Sequence, residues 1–149
     1  MVLSAGASDT PPQPKAGTAV SGTFPKDFMA ADLKATRNLP IFDEKAAGTG
    51  DFSFPAASEI DTIVRRTIPL KGGNGQLYPS LSLEALRVVQ GAGAFRVKTS
   101  DGSGEVGVGE LALVSVQVGQ LIVPTDAQGG VSIYHSPSWE KPTLPVIKV

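Results

Sequence analysis

The sequence predicts an α/β domain of the α+β kind, in which a mixed, largely antiparallel sheet of about five strands packs around one buried helix. Three observations carry that expectation. Over residues 80–90, Leu81, Leu83, Ala85, Leu86, Val88 and Val89 leave only a narrow polar stripe of Ser80, Glu84 and Arg87. A helix apolar around most of its circumference has to be buried on most sides. Downstream, β-branched runs without helix signals, above all residues 111–118 (LALVSVQV), supply strands to cover it. Seventeen glycines and twelve prolines, about a fifth of the chain, call for many turns and short elements.

A length of 149 residues suits one domain with its own core. Thirteen basic and fourteen acidic side chains leave a net charge of −1, and Arg65-Arg66 is the only adjacent basic pair. A nucleic-acid partner would call for a basic stripe, so none is expected. Without cysteine there is no disulfide, thiolate metal site or cysteine nucleophile. The first residues, MVLSAGASDTPPQP, lack the basic and apolar regions of a signal peptide. No run approaches the roughly 18 apolar residues of a membrane span.

Residues 1–20 are small and polar, with Pro11, Pro12 and Pro14, and read as a flexible arm preceding a domain over 21–149. Residues 23–36 read as a short helix, with Pro25 in its first turn, Asp27 near its start, and Met29 and Leu33 on one face. Pro40 interrupts. Residues 42–47 give one helical turn stopped at Gly48, and Phe52 and Phe54 alternate as core anchors in the loop that follows.

Residues 60–68 make the clearest strand, ended by Pro69, which has no amide proton for the ladder. Gly72, Gly73, Asn74 and Gly75 form a turn. The helix over 80–90 starts at Pro79-Ser80 and is capped by Gly91. Strands are expected at 94–98, 111–118 and 119–123, the last ended by Pro124. Gly129-Gly130 turns the chain into residues 131–134 as a hairpin, and 146–149 adds an edge strand.

The motif census points away from catalysis. Gly102, Gly104 and Gly107 satisfy G-x-G-x-x-G, with Asp126 nineteen residues further on, but they lead into a strand-like run. Dinucleotide binding needs a helix N-terminus there, so the glycines make a turn. Neither G-x-x-x-x-G-K-[ST] nor G-x-S-x-G occurs, and the lone His135, beside Ser136, has no acid to orient it. Asp101-x-Ser103-x-Glu105 echoes a calcium loop without the later glycine and glutamate. A zinc site built on one histidine and carboxylates would be an unusual ligand set. No catalytic residue, metal site or cofactor is therefore expected.

Binding is the remaining chemistry. Asp61, Ile63 and Arg65 share one strand face and Arg66 points to the other. Such arginines either pair with a carboxylate for structure or grip an anionic ligand with the guanidinium fork. Thr125 and Asp126 follow Pro124 in a turn, where both can bond the backbone. Arg65, Arg66, Thr125 and Asp126 are the candidate pocket residues.

The order of these pieces carries a resemblance. Asp61 precedes Val64-Arg65-Arg66 and Ile68-Pro69-Leu70; Tyr78 to Leu81 (YPSL) and Ala85 to Arg87 (ALR) follow; then come Val116 to Asp126 (VQVGQLIVPTD), Gly130 and a strand ending in Tyr134. Over residues 39–137 this resembles the second type of CHASE domain, an extracytoplasmic sensory domain associated with bacterial cyclases and histidine kinases. The resemblance implies a periplasmic domain of a bacterial inner-membrane receptor that binds a small-molecule or protein signal and relays it to a cytoplasmic cyclase or histidine kinase. Membrane contact would run only through parts of the parent protein outside this chain. The alternative is a dimerisation module of such a receptor, pairing with a second copy and taking no small ligand. The chain departs from the family pattern in having no membrane helix and only the C-terminal part of the domain, so it is expected to be a fragment.

Overall fold

A computed structural model of the chain describes residues 1–3, 9–24, 28–53, 63–103 and 111–135. The elements run β1 (Val2–Leu3), β2 (Gly17–Ser21), β3 (Ala35–Thr36), α1 (Pro40–Lys45), β4 (Arg66–Thr67), β5 (Leu70–Gly73), β6 (Gln76–Pro79), α2 (Leu81–Val89), β7 (Ala94–Thr99), β8 (Leu113–Val118), β9 (Leu121–Pro124) and β10 (Val131–Ser132). The architecture is mixed α/β, with few helices and a largely antiparallel main sheet in the order β2-β7-β8-β9.

Periodicity builds that sheet. In β7, Phe95, Val97 and Thr99 point inward and Ala94, Arg96 and Lys98 outward, the period of two that a half-covered strand requires. In β8 the inward residues are Leu113, Val116 and Val118, because a register shift opposite Lys98 and Thr99 adds a residue and restores the inward face. A two-residue turn at Gly119-Gln120, with Gly119 at φ +55°, joins β8 to β9. Leu70, Leu77 and Leu83 close over Phe95, Val97, Val116 and Val118 to make the main core.

The segment read as a flexible arm contributes structure. β2 runs parallel to β7 at the sheet edge, and β1 pairs with β3. The Lys15 ammonium donates to the carbonyls of Asp43, Glu44 and Ala46, placing a cation on the negative end of α1. That helix opens at Pro40 itself, whose fixed φ and missing N–H suit a first helical position.

The helix expected over 23–36 does not form at its described residues. The cause lies forty residues away, in the β5–β6 hairpin. Its turn is Asn74-Gly75, with φ +51° and +72°, the two positive values that match strand twist. Asn74 Oδ1 accepts from the Leu33 amide (2.8 Å) and Asn74 Nδ2 donates to the Leu33 carbonyl (3.0 Å). The Asn74 and Gly75 amides take the Ala31 and Met29 carbonyls. These bonds tie Met29, Ala31 and Leu33 to the hairpin turn, and Phe28 and Leu33 lie where side chains on Gly72 and Gly73 would be.

The strand expected at 60–68 is shorter: within the described residues only β4 pairs, and its partner is β10. Gly129-Gly130 therefore sends the chain back to β4, and β9 pairs with β8 instead of forming the expected hairpin with 131–134. Phe52 is exposed and anchors no core. Phe54, residues 60–62, the glycines at 104 and 107, and the strand expected at 146–149 lie outside the described residues.

Helix α2 follows its signals at both ends. Ser80 Oγ accepts from the Leu83 amide (3.3 Å). Gly91, at φ +62°, closes the helix through Gly91 N–H to Val88 O and Ala92 N–H to Arg87 O. Its burial inverts the expected arrangement: the helix is covered along one side, through Leu83, Glu84 and Arg87, while Leu81 (49% exposed) and Val89 (83%) meet solvent. The polar stripe turns inward because it satisfies itself. Arg87 Nε and Nη2 donate to the two Glu84 oxygens (2.8 and 2.9 Å), and the guanidinium also reaches Ala92 O and Ala47 O. A Cβ on Gly48 would come within 2.0 Å of Glu84 Oε1, so the loop fits over the pair only as glycine. Arg87→Met is expected to cost about 3–5 kcal/mol in urea unfolding, by stranding a buried carboxylate, and Glu84→Gln with Arg87→Met to recover most of it. A loss below about 1 kcal/mol in the single variant would remove the pair from its anchoring role.

Candidate binding cleft

Where the chain passes from β5 to the start of α2, three segments leave a cleft of about 420 Å³ between them. One is the loop Asp51-Phe52-Ser53, another runs from Thr67 to Lys71, and the third is the first turn of α2 from Ser80 to Ala85. The loop is fixed by backbone bonds: Asp51 N–H to Pro79 O (2.8 Å) and Leu81 N–H to Asp51 O (2.7 Å). Gly50 permits that approach, since a Cβ there would sit 2.5 Å from Leu81 Cα.

Asp51 organises the polar end. Its side chain is 2% exposed. Oδ1 accepts from the Leu3 and Ser53 amides (2.9 and 3.0 Å), and Oδ2 from Ser53 Oγ (2.7 Å) and Lys71 Nζ (2.6 Å). Burial works against charge on this carboxyl, but the Lys71 ammonium, the two amides and the hydroxyl together hold it below the ordinary carboxylate value. Lys71 also donates to Ser53 Oγ (2.6 Å). Across the cleft, Ser80 Oγ and Ser82 Oγ lie 3.2 Å apart. Ile68, Leu81, Ala85 and Phe52 form the apolar walls. A smaller cleft of about 220 Å³ shares Thr67, Ser80 and Ser82 with the first and is otherwise lined by apolar residues, including Pro69, Leu86 and Val123.

The 2.6 Å contact between Ser53 and Lys71 has the residue types of a serine–lysine nucleophile. Its chemistry differs. Lys71 is engaged as a cation by Asp51 and offers no lone pair, and the Ser53 proton is directed at the Asp51 carboxylate. The cluster is built to hold groups in place.

The four residues named from sequence fall elsewhere, and only two of them meet. Arg66 and Asp126 form a bidentate pair, Nε to Oδ2 (2.6 Å) and Nη2 to Oδ1 (2.7 Å). Asp126 Oδ1 also accepts from the Gln128 and Gly130 amides. The guanidinium covers Gly130, where a Cβ would fall 2.2 Å from Arg66 Cζ. This clasp ties β4 to the turn before β10. Thr125 lies beside it with its amide on Val114 O (3.0 Å) and its buried hydroxyl without a hydrogen-bond partner among the described residues. Arg65 is exposed, and its carbonyl accepts from Ile133 N–H (2.7 Å). His135 is exposed, with Nε2 2.9 Å from Val64 O.

Sequence reasoning missed Asp51, Ser53, Lys71 and Ser82. One signal pointed to Lys71: reading Asn74-Gly75 as a two-residue hairpin places Lys71 in a strand opposite Tyr78. Asp51 gives no such signal, since its role arises from contacts with residues 48 positions before and 20 after it. Among the described residues, no group of three or more His, Cys, Asp and Glu side chains is placed to hold a metal, and no helix is long and apolar enough to cross a membrane. No protein-family model, curated protein or solved structure matches the chain.

The hydrogen bonds from Arg66 hold the Asp126 carboxyl down at about 2, against an ordinary value of 3.8. A carboxyl depressed on folding contributes stability above its unfolded value and loses it as pH falls through its folded one. The urea midpoint is expected to fall between about pH 5 and about pH 2, and in Asp126→Asn to start lower and fall less steeply. An unchanged acid slope in that variant would show that the clasp carries no net stability.

Proposed function

We propose that the chain is a signal-binding domain that performs no chemistry, the extracytoplasmic sensor of a bacterial transmembrane receptor of the second CHASE type, relaying to a cytoplasmic cyclase or histidine kinase. The observation that carries the binding half of this reading is the cleft, with a lysine and hydroxyls fixed at one end and apolar walls along its length. Ligand sites have this make-up and fall in this size range. The receptor half rests on the ordered residue series from Asp61 to Tyr134. Two blocks of that series, sixty residues apart, are joined by the Arg66–Asp126 clasp. A ligand between the Asp51 loop and α2 would favour one spacing of the two, and a receptor converts such a difference into output through its differential affinity.

In the whole receptor domain, further chain is proposed to close over Leu81, Val88 and Val89, restoring a single buried helix within a sheet of about five strands. The exposure of these residues also favours a second reading, a dimerisation module whose α2 packs on another copy. Sedimentation separates them: a monomer at all concentrations removes the second.

Two measurements test the first. The reading frame around this chain is expected to encode hydrophobic spans and a cyclase or kinase output; a frame encoding a free-standing catalyst overturns the receptor assignment. Within that receptor, Ala85→Phe, which fills the cleft from an exposed helix position, is expected to shift output while moving the domain's melting temperature by no more than about 4 °C. Output indifferent to the filled cleft overturns the binding assignment.

A further inference from the structure

Resting on the cleft as a binding site, we propose that it takes a small monocarboxylate with an apolar body. The argument is a count of hydrogen-bonding capacity. Asp51 already receives four donors on its two oxygens, and Ser53 Oγ both donates and accepts, so the polar end offers a ligand no free anionic acceptor. Among the described residues, donors are left over. Lys71 spends two of its three ammonium protons, on Asp51 and Ser53. Ser80 and Ser82 share one bond between two hydroxyls, and Ser80 Oγ additionally takes the Leu83 amide, which leaves one hydroxyl proton unassigned.

Electrostatics gives the same answer. Asp51 lies buried behind Lys71, and it is the lysine, 24% exposed at its side chain, that faces the cleft. An entering ammonium meets a like charge and no free anionic acceptor among the described residues. A monoanion finds a cation and a hydroxyl donor. A phosphate dianion brings a second charge that nothing in these largely apolar walls compensates, and burying an unpaired charge is costly. Beyond the head group, Ile68, Leu81 and Ala85 continue to the shared rim of the smaller cleft, whose lining of Pro69, Leu86 and Val123 is apolar. A chain of several carbons fits that path.

The test is titration of the isotopically labelled full chain with hexanoate, hexanol and hexylamine, following the amides of Ser53, Lys71 and Ser82. Hexanoate is expected to shift them saturably and at least about tenfold more tightly than hexanol, the worth of one charge-assisted hydrogen bond, with no response to hexylamine. Lys71→Met is expected to erase that preference. Because it strands Asp51, Asp51→Asn with Lys71→Met serves as the folded version, retaining hexanol binding and losing the hexanoate advantage. Hexanol or hexylamine binding as tightly as hexanoate overturns the head-group assignment and leaves the cleft intact as a site. If no probe binds while Ala85→Phe still alters receptor output, the carboxylate proposal fails alone. If no probe binds and output ignores Ala85→Phe, both proposals fail.

Discussion

The buried Glu84–Arg87 pair sets the orientation of α2, and the rest of the arrangement follows from that orientation. Two charges out of water are costly unless every donor and acceptor is matched. Here the match is close to complete: both carboxylate oxygens face the guanidinium, and two of its three remaining hydrogens reach backbone carbonyls. One of those carbonyls, Ala47 O, belongs to the loop that runs on through Gly48 and Gly50 to Asp51. The pair therefore fixes which way the helix faces and also anchors the loop that forms one cleft wall.

A helix turned in this way keeps Leu83 in the core but leaves Leu81, Ala85, Val88 and Val89 outside, and their positions matter. Leu81 and Ala85 border the cleft, while Val88 and Val89 continue the same side toward the C-terminus. Had the stripe faced outward as the composition suggested, Leu81 would sit in the core and the cleft would lose a wall. The hydrophobic effect supplies most of the driving force for folding, but it does not choose between two sides of a helix that is apolar nearly all round. A self-satisfied ion pair makes that choice here.

This explains what could be read from the residues alone. The ends of α2 were legible because Ser80 and Gly91 act through bonds to neighbours a turn away. Strand β8 was legible because a β-branched run without helix signals is a local feature. The sign of α2's burial was not, although Glu84 and Arg87 stand three apart, the spacing at which two side chains can neutralise each other. Residues 28–36 misled because their fate depends on the Asn74 amide, forty-one positions from Leu33. The hairpin holding Lys71 was read as four turn residues, because Gly72 and Gly73 look unlike a strand until Phe28 and Leu33 are seen to need the space. Arg66 and Asp126, two of the candidate pocket residues, pair with each other, which matches the carboxylate partner weighed for the arginine beside an anionic ligand. Asp51 could not be reached by any local rule.

The same Asp51 carboxylate that seats Lys71 also holds the Leu3 amide, at 2.9 Å. The earliest described strand and the cleft lysine thus share one acidic group, like two ropes tied to a single cleat. A pull on the chain near its beginning, enough to slacken the rope at Leu3, would loosen the other at Lys71 as well. By the reciprocity of linked equilibria, whatever tightens around the lysine must stiffen the amino-terminal strand in return.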